Sequence, residues 1–229
     1  MNEENNGKCS GKRSYRLVCF DLDGTIIDNI TNFWKFICDE FGCDIEKKQK
    51  AYDSFFNNLI SYDEWVEGDV KLWMEKKLTK KDFINALSRL NLMPGALDTL
   101  RELKRRGLKI AIISDSMEVA VEALIPDYKE LFDDVLINRL VFDERGNITG
   151  WEATKYGMDR KAEGVKMISE REGIPLSQCI FVGDEFNDIE AVKCAGLGIA
   201  FNSSSEELKE AADVVSEKKD LRDVLKHIS

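Results

Sequence analysis

Short, largely apolar runs recur along the chain, and each ends at a polar residue. Three of these runs, with the residue that follows, are Leu17–Phe20 with Asp21, Lys109–Ile113 with Ser114, and Cys179–Gly183 with Asp184. Runs of this length predict buried strands, because a strand that is covered on both faces has no polar face. Segments with helical spacing separate them, at about 95–106, 117–125, 159–172 and 187–195. The alternation predicts an α/β fold with a mostly parallel sheet flanked by helices.

The pattern changes between residues 29 and 91. Aromatic and aliphatic residues recur there at helical spacing, as at Phe33, Trp34, Ile37 and Phe41. This spacing predicts three or four amphipathic helices, and Thr79 with Asp82 marks the start of one of them. The predicted organisation is a disordered leader over residues 1–14, a core domain over 15–28 and 92–229, and a helical cap domain over 29–91.

A hairpin is predicted within the core domain. Residues 135–142 are strand-like, residues 143–147 form a turn sequence that contains a glycine, and Ile148 begins the return strand. The other predicted strands are separated by helices, as parallel strands require.

The composition narrows the possible functions. The chain has 229 residues, of which 43% are hydrophobic, and its formal net charge is −10. This acidic balance argues against a general binder of nucleic acid or anionic membranes, which needs a basic face. The single histidine, His227, and the lack of a Cys-x-x-Cys motif argue against a Cys/His zinc site. No apolar run reaches the length of a membrane span and no signal-peptide core is evident, so we expect a cytoplasmic protein.

Four motifs carry the candidate chemistry. In chain order they are Asp21-Leu22-Asp23-Gly24-Thr25, Ser114 after Ile112-Ile113, Lys161 within residues 159–164, and Gly183-Asp184-Glu185-Phe186-Asn187-Asp188. Each residue alone is most often a turn former, a helix cap or a solvated side chain. In open parallel sheets, however, ligands bind beyond the carboxyl ends of the strands. We therefore expect these polar residues to converge at one edge of the sheet.

The four motifs, in this order, resemble those of the haloacid dehalogenase superfamily in its phosphatase branch, over about residues 15–225. The resemblance implies a Rossmann-like core with a helical cap inserted after the first motif. It implies Asp21 as the nucleophile that forms an aspartyl phosphate. It implies Asp23 as the acid that protonates the leaving oxygen and as the base that then deprotonates the attacking water. Ser114 would bind a phosphoryl oxygen, and Lys161 would offset charge and orient the nucleophile.

The same resemblance implies a Mg²⁺ ion, held in an oxygen shell by Asp21, Asp184 and the backbone carbonyl of Asp23. Two carboxylates and a phosphate dianion carry a total charge of about −4. Mg²⁺ and Lys161 together contribute about +3, so the scheme needs both cations. The remaining candidates are Thr25, Asp115 and Asn187 for substrate binding, and Asp188 as a support behind the metal ligands.

Within this superfamily the helical insert and the motif set are most similar to the phosphoserine phosphatase group. Ile30 stands nine positions after Asp21, where that group has an acidic residue for the substrate's amino group. No arginine occurs between Ile26 and Ser88, although the group uses one in the cap for the substrate carboxylate. A lysine does not replace it, because lysine lacks the planar fork that binds a carboxylate bidentately.

Two further differences lie in the motifs, where Asp115 and Glu185 stand at positions that are commonly glycine. We therefore expect a small phosphorylated metabolite as the substrate, without a strong preference for L-phosphoserine. Aromatic residues of the cap, among them Phe55, Phe56 or Trp65, are expected to face the cleft and exclude water. A monomer or a homodimer is expected.

Two alternatives remain open. A phosphotransferase such as a phosphosugar mutase uses the same phosphoaspartate, and dependence on a bisphosphate would reveal it. A non-catalytic phosphometabolite-binding protein would have the same fold. Loss of Asp21 or Asp184 would favour that alternative, but both residues are present. The motifs favour Mg²⁺-dependent hydrolysis of a small phosphate monoester through an aspartyl phosphate.

Overall fold

A computed structural model of the protein describes residues 14–42 and 44–228. Its strands are β1 (Leu17–Phe20), β2 (Lys109–Met117), β3 (Asp134–Phe142), β4 (Ile148–Glu152), β5 (Cys179–Gly183), β6 (Leu197–Phe201) and β7 (Val214–Ser216). Within the described residues they form one seven-stranded sheet in the order β4-β3-β2-β1-β5-β6-β7. Neighbouring strands are parallel except β3 and β4, which form the predicted hairpin. The predicted fold class is confirmed, whereas the predicted leader lies outside the described residues except for Ser14.

Helices cover both faces of this sheet and fill the segment after β1. Four cap helices follow β1: α1 (Phe33–Phe41), α2 (Ile45–Phe56), α3 (Tyr62–Glu75) and α4 (Lys80–Leu87). The remaining helices are α5 (Ala96–Arg105), α6 (Glu118–Leu124), α7 (Tyr128–Leu131), α8 (Lys161–Glu172), α9 (Ile189–Cys194) and α10 (Glu206–Ala211). None of the helices in the described part of the chain is long and apolar enough to cross a membrane.

Side-chain caps explain where the cap helices begin. Thr79 and Asp82 form the capping box at the start of α4, as predicted, and Ser61 with Glu64 forms another before α3. Three short elements were not predicted: α7, α10 and β7. Each has at most six residues, which is too few for a hydrophobic period to be recognised.

Three of the four cap helices are packed onto the rest of the protein. Phe33 of α1, Trp73 of α3 and Phe83 of α4 belong to the same hydrophobic cluster as Phe20 at the end of β1. By contrast, α2 has no buried residue. The cap is therefore anchored through α1, α3 and α4, while α2 lies at its surface.

Candidate active site

The carboxyl ends of β1, β2 and β5 lie side by side in the middle of the sheet. The last residue of β1 is level with Ile112 of β2 and with Val182 of β5. Asp21 follows β1 directly, and its backbone N–H donates a hydrogen bond of 2.9 Å to the carbonyl of Val182. Ser114 and Asp184 come two residues after these partners, Ser114 still within β2 and Asp184 directly after β5. Polar residues therefore stand just beyond the paired part of all three strands, at one edge of the sheet.

A fully buried lysine joins two carboxylates at this edge. Lys161 begins α8, and its Nζ lies 3.0 Å from Oδ2 of Asp21 and 2.7 Å from Oδ1 of Asp188. Burial opposes the charge of the ammonium, but the carboxylates of Asp188 and Asp21 outweigh it and raise the pKa of Lys161 above its ordinary value. The lysine therefore stays protonated and fixes the direction of one Asp21 oxygen.

Asp184 is held from its side chain and from its backbone. Its Oδ1 accepts a hydrogen bond of 2.9 Å from the hydroxyl of Thr25, and its backbone N–H donates to Oδ2 of Asp188 at 3.0 Å. Burial, and then the charges of Asp21 and Asp188, raise the pKa of Asp184. One carboxylate oxygen from each of Asp21, Asp184 and Asp188 lies within 4.8 Å of the others. We refer to these three residues as the carboxylate cluster.

Two glycines let the carboxylates approach the backbone closely. At Gly24, φ is +73°, and an added Cβ would lie 2.0 Å from Oδ2 of Asp184. At Gly183, an added Cβ would lie 2.3 Å from Oδ2 of Asp188. Contacts this short are far inside van der Waals distance, so a side chain at either position would displace a carboxylate. The glycines of the first and fourth motifs are thus part of the site's geometry.

Asp23 is turned toward the cap. Its Oδ2 accepts a hydrogen bond of 2.6 Å from the backbone N–H of Phe33, the first residue of α1. Burial, and then the negative charges of Asp21 and Asp115, raise the pKa of Asp23 to about 7, although the Phe33 N–H opposes the shift. Near neutral pH this carboxyl is about half protonated, which suits a group that must donate a proton and later accept one.

A buried asparagine ties the residue after Ser114 to the cap. Asn138 of β3 donates hydrogen bonds to the carbonyl of Asp115 at 2.7 Å, to the carbonyl of Ser116 at 3.1 Å and to Oη of Tyr62 at 2.8 Å. The indole N–H of Trp34 also donates to the carbonyl of Asp115, at 2.9 Å. The Asp115 carbonyl therefore links β2 to α1 directly, and the Asn138 amide links it to α3.

A cavity of about 570 Å³ lies between this edge of the sheet and the cap helices. Asp21, Asp23 and Asp115 line its floor. Three cap helices contribute four aromatic rings to the lining, which we call the aromatic wall: Trp34, Tyr52, Tyr62 and Trp65. The cavity therefore joins a charged floor to an aromatic wall.

Of the aromatic residues predicted to face the cleft, Trp65 lines the cavity, whereas Phe55 and Phe56 do not. The ring of Phe55 packs on that of Trp65 with centroids 4.8 Å apart, and the ring of Phe56 packs on that of Tyr52 at 4.4 Å. Because α2 ends at Phe56, the ring that reaches the cavity from this helix is Tyr52, one turn earlier. This part of the prediction was wrong.

Both lysines that line the cavity are paired with aspartates. Lys35 forms an ion pair with Asp39 on the exposed side of α1. Lys48 lies 3.4 Å from Oδ2 of Asp69 and donates a hydrogen bond of 3.1 Å to the carbonyl of Trp34. Burial raises the pKa of Asp69, and Lys48 opposes this shift. Among the described residues, no arginine lines the cavity.

The candidate residues from the sequence fall into two groups. Those that line the cavity are Asp21, Asp23, Asp115 and Asn187. Those that are buried behind it are Thr25, Ser114, Lys161, Asp184 and Asp188. The Oγ of Ser114 accepts a hydrogen bond of 3.2 Å from the backbone N–H of Ser116. Asn187 presents a buried Oδ1 that has no hydrogen-bond partner in the described structure.

Sequence reasoning missed Asn138, Tyr62, and the pair of Lys48 and Asp69. Of these, Asn138 could have been noticed in the sequence, because it is a single amide within the apolar run of β3. The others lie on amphipathic helices where polar residues are common, and only packing of the helices brings them to the cavity.

The carboxylate cluster has the donor set of a site for a hard cation. Its ligand atoms are all oxygens, as Mg²⁺ and similar ions prefer. Oδ1 of Asp21 is buried and lacks a hydrogen-bond partner in the described residues, which is costly for an ionised oxygen unless a cation is bound. The residues present therefore fit a divalent metal ion.

Comparisons with known proteins agree with this geometry. Residues 15–196 match the family model for haloacid dehalogenase-like hydrolases. The chain is 33% identical over 218 residues to a phosphoserine phosphatase of Methanocaldococcus jannaschii, a match that covers 95% of this chain and 99% of that one. A solved phospho-aspartyl intermediate analogue of phosphoserine phosphatase is 32% identical, with a TM-score of 0.72 over 94% of this chain and 100% of the other. A substrate-bound phosphoserine phosphatase complex is 31% identical, with a TM-score of 0.73 over 95% and 100% of the two chains.

Proposed function

Since this chain belongs to the haloacid dehalogenase-like hydrolases and is a phosphatase of their phosphoserine phosphatase-like group, we propose that it hydrolyses a small phosphate monoester with Mg²⁺ through an aspartyl phosphate. The observation that carries the proposal is the environment of Asp21. Lys161 holds one of its carboxylate oxygens at 3.0 Å, and the other is buried without a hydrogen-bond partner among the described residues. A carboxylate fixed in this way can attack phosphorus from a constant direction.

The reaction has two steps. First, an oxygen of Asp21 forms a bond to phosphorus, the ester P–O bond breaks, and the leaving oxygen takes a proton from Asp23. Next, water attacks the phosphoaspartate while Asp23 accepts its proton, which releases phosphate and restores Asp21. The raised pKa of Asp23, about 7, supports both roles because neither protonation state is costly near neutral pH.

The metal would be held by Asp21, Asp184 and the backbone carbonyl of Asp23, with Asp188 behind them. Bound there, Mg²⁺ would offset the negative charges of the phosphate and the carboxylates. Thr25 would keep Asp184 in place through their 2.9 Å hydrogen bond. Lys161, which stays protonated, would supply the second compensating charge.

The other candidate residues would act on the phosphate and on the leaving group. Ser114 would donate a hydrogen bond to a phosphoryl oxygen, and the free Oδ1 of Asn187 would accept one from the substrate. Asp115 would face the leaving group, since it lines the cavity. We assign residues 29–91 to the cap domain and 15–28 with 92–229 to the core domain. The position of α1–α4 between β1 and α5 supports this division.

The test uses Asp21→Asn with p-nitrophenyl phosphate and Mg²⁺. We expect kcat to fall by about 10⁴-fold or more, because an amide does not attack phosphorus. Asp63→Asn is the matched control, since Asp63 is exposed on α3 and forms no ion pair in the described structure. Acid quenching during turnover of a phosphorus-labelled substrate should trap label on the wild type and none on Asp21→Asn.

Metal dependence is tested on the same substrate. EDTA should abolish activity, and added Mg²⁺ should restore it. Near-normal turnover by Asp21→Asn, or full activity in metal-free buffer, would show the proposed mechanism to be wrong. Transfer of the label to a second phosphate ester instead of water would identify a phosphotransferase.

A further inference from the structure

The leaving-group side of the cavity is lined by aromatic rings that are held in fixed positions. Trp34 is fixed by its hydrogen bond of 2.9 Å to the carbonyl of Asp115, and Tyr62 by the 2.8 Å hydrogen bond that its Oη accepts from Asn138. The ring of Trp65 stands nearly perpendicular to those of Tyr62 and Tyr52, at 84° and 86°, with centroids 6.5 and 5.9 Å away. Edge-to-face packing of this kind holds the three rings at defined angles to one another.

The charges on this side are predominantly negative. Outside the catalytic aspartates, the carboxylates that line the cavity are Asp39, Asp69, Asp115 and Glu185. The two lysines of the lining are paired, Lys35 with Asp39 and Lys48 with Asp69. Asp115 is buried, and no lysine or arginine of the described structure lies within ion-pair distance of it. An anionic group would therefore meet no unpaired cation here.

Aromatic faces beside carboxylates are the surroundings that recognise an organic cation. The face of an aromatic ring is negative and attracts ammonium groups, especially quaternary ones that carry little water. A carboxylate on the leaving group would instead be repelled by Asp115 and would have to break the pair of Lys48 and Asp69. The lining thus discriminates between the two groups that phosphoserine carries.

On the premise of the proposed phosphatase function, we infer that the preferred leaving group is a cationic amino alcohol without a carboxylate, such as choline or ethanolamine. The phosphate of such a monoester lies at Asp21, and its ammonium group lies against the aromatic wall. Hydrolysis breaks the ester P–O bond and consumes one water molecule. The products are phosphate and the free amino alcohol.

Two matched pairs of substrates test this assignment on the wild-type protein. Phosphocholine and 3,3-dimethylbutyl phosphate have the same shape and differ in the charge of one central atom. Phosphoethanolamine and L-phosphoserine differ by one carboxylate. For phosphocholine we expect kcat/KM to be at least about tenfold higher than for its neutral isostere, because a cation is attracted to aromatic faces. For phosphoethanolamine we expect kcat/KM to be at least about tenfold higher than for L-phosphoserine, because the carboxylate of L-phosphoserine would be repelled by Asp115.

Two variants connect these preferences to the cavity. Trp65→Leu removes one ring and should reduce the advantage of phosphocholine over its neutral isostere at least about threefold. Asp69→Asn leaves Lys48 without its aspartate and should reduce the ratio of phosphoethanolamine to L-phosphoserine at least about tenfold. Asp63→Asn makes the same chemical change on the exposed side of α3 and should preserve both ratios.

The outcomes separate this inference from the function on which it rests. If p-nitrophenyl phosphate and both substrate pairs are all inert with Mg²⁺, the proposed function and the inference fail together. If the protein hydrolyses monoesters but L-phosphoserine equals or exceeds phosphoethanolamine, or the neutral isostere equals phosphocholine, the inference is overturned and the phosphatase function stands. The wild-type comparison suffices even where a variant does not fold.

Discussion

The floor of the cavity and its aromatic wall differ in how closely their side chains are constrained. The floor rests on side chains buried directly behind it: Lys161 is fully buried between two carboxylates, and an added Cβ at Gly24 would overlap Asp184. In the wall, Tyr52 is 41% exposed on α2, a helix without buried residues. The floor therefore admits almost no change of shape, whereas the part of the wall that α2 contributes can accept different side chains without disturbing the fold.

This contrast separates reaction from selectivity. In the proposed mechanism, the groups that must be placed to within about a few tenths of an ångström lie just after buried strands, as Asp21 and Asp184 do, or at the start of α8, as Lys161 does. Groups that would select the leaving group lie on helices, and one of these helices is only loosely packed. Substitutions on the floor should therefore alter turnover, and substitutions in the wall should alter preference.

The largest effect is expected from Lys161→Met. The loss of one compensating charge should lower kcat by about 10³-fold or more. Because Asp21 and Asp188 would remain buried without a cation, the free energy of unfolding should also fall by about 3–5 kcal/mol. Steady-state kinetics and urea denaturation measure the two effects. Lys166→Met, at an exposed position of the same helix, serves as the control, and equal behaviour of the two variants would contradict the assigned role.

A smaller loss of turnover is expected from Gly24→Ala. The added Cβ would lie 2.0 Å from Oδ2 of Asp184, so this carboxylate must move and the affinity for Mg²⁺ should fall with kcat, by about 10²-fold. Gly107→Ala is the control, because Gly107 has φ of +79° and open space around its Cβ position. Backbone strain of about 1–2 kcal/mol is common to both. Retention of normal Mg²⁺ affinity by Gly24→Ala would argue against Asp184 as a ligand.

The raised pKa of Asp23 predicts a pH profile. Asp23 is protonated below about pH 7 and loses its proton above it, so its capacity to act as an acid declines as pH rises. For an alkyl phosphate, kcat/KM should then decrease by about tenfold per pH unit above pH 7. With p-nitrophenyl phosphate, whose leaving group needs no proton, this decrease should be absent. Parallel profiles for the two substrates would remove Asp23 from the role of acid.

The smallest effect is expected in the cap at Leu59, which is 75% exposed just after α2. Leu59→Ala should change the free energy of unfolding by no more than about 0.5 kcal/mol. The same substitution at Leu87, fully buried in α4, should cost about 2–5 kcal/mol. Thermal or urea denaturation of the two variants gives the comparison. A large loss at Leu59 would mean that the surface of the cap is packed more closely than the floor-and-wall contrast requires.

The same contrast explains what could be predicted from the sequence. The strands that carry Asp21, Ser114 and Asp184 are marked by local apolar runs, and parallel pairing brings their ends together. The hairpin of β3 and β4 was also marked locally, by its turn. For such elements the order along the chain nearly determines the arrangement in space.

The wall could not be predicted in this way. Helical spacing identifies the apolar face of α2, but it does not say whether Tyr52 or Phe55 reaches the cavity, because that depends on where the helix ends against its neighbours. The pairing of Lys48 with Asp69 connects α2 to α3 across 21 positions of sequence. No local pattern distinguishes these two residues from the many solvated charges of the cap.

The cluster that joins three cap helices to the core also determines how substrate and product reach the cavity. Displacing α1, α3 or α4 would expose Phe33, Trp73 or Phe83 to water, whereas α2 has no buried side chain of its own to expose. The easiest route for exchange is therefore a local opening of α2, which carries Tyr52 away from the wall. Release of product would then be timed by the fraying of a single twelve-residue helix, and not by rotation of a whole domain.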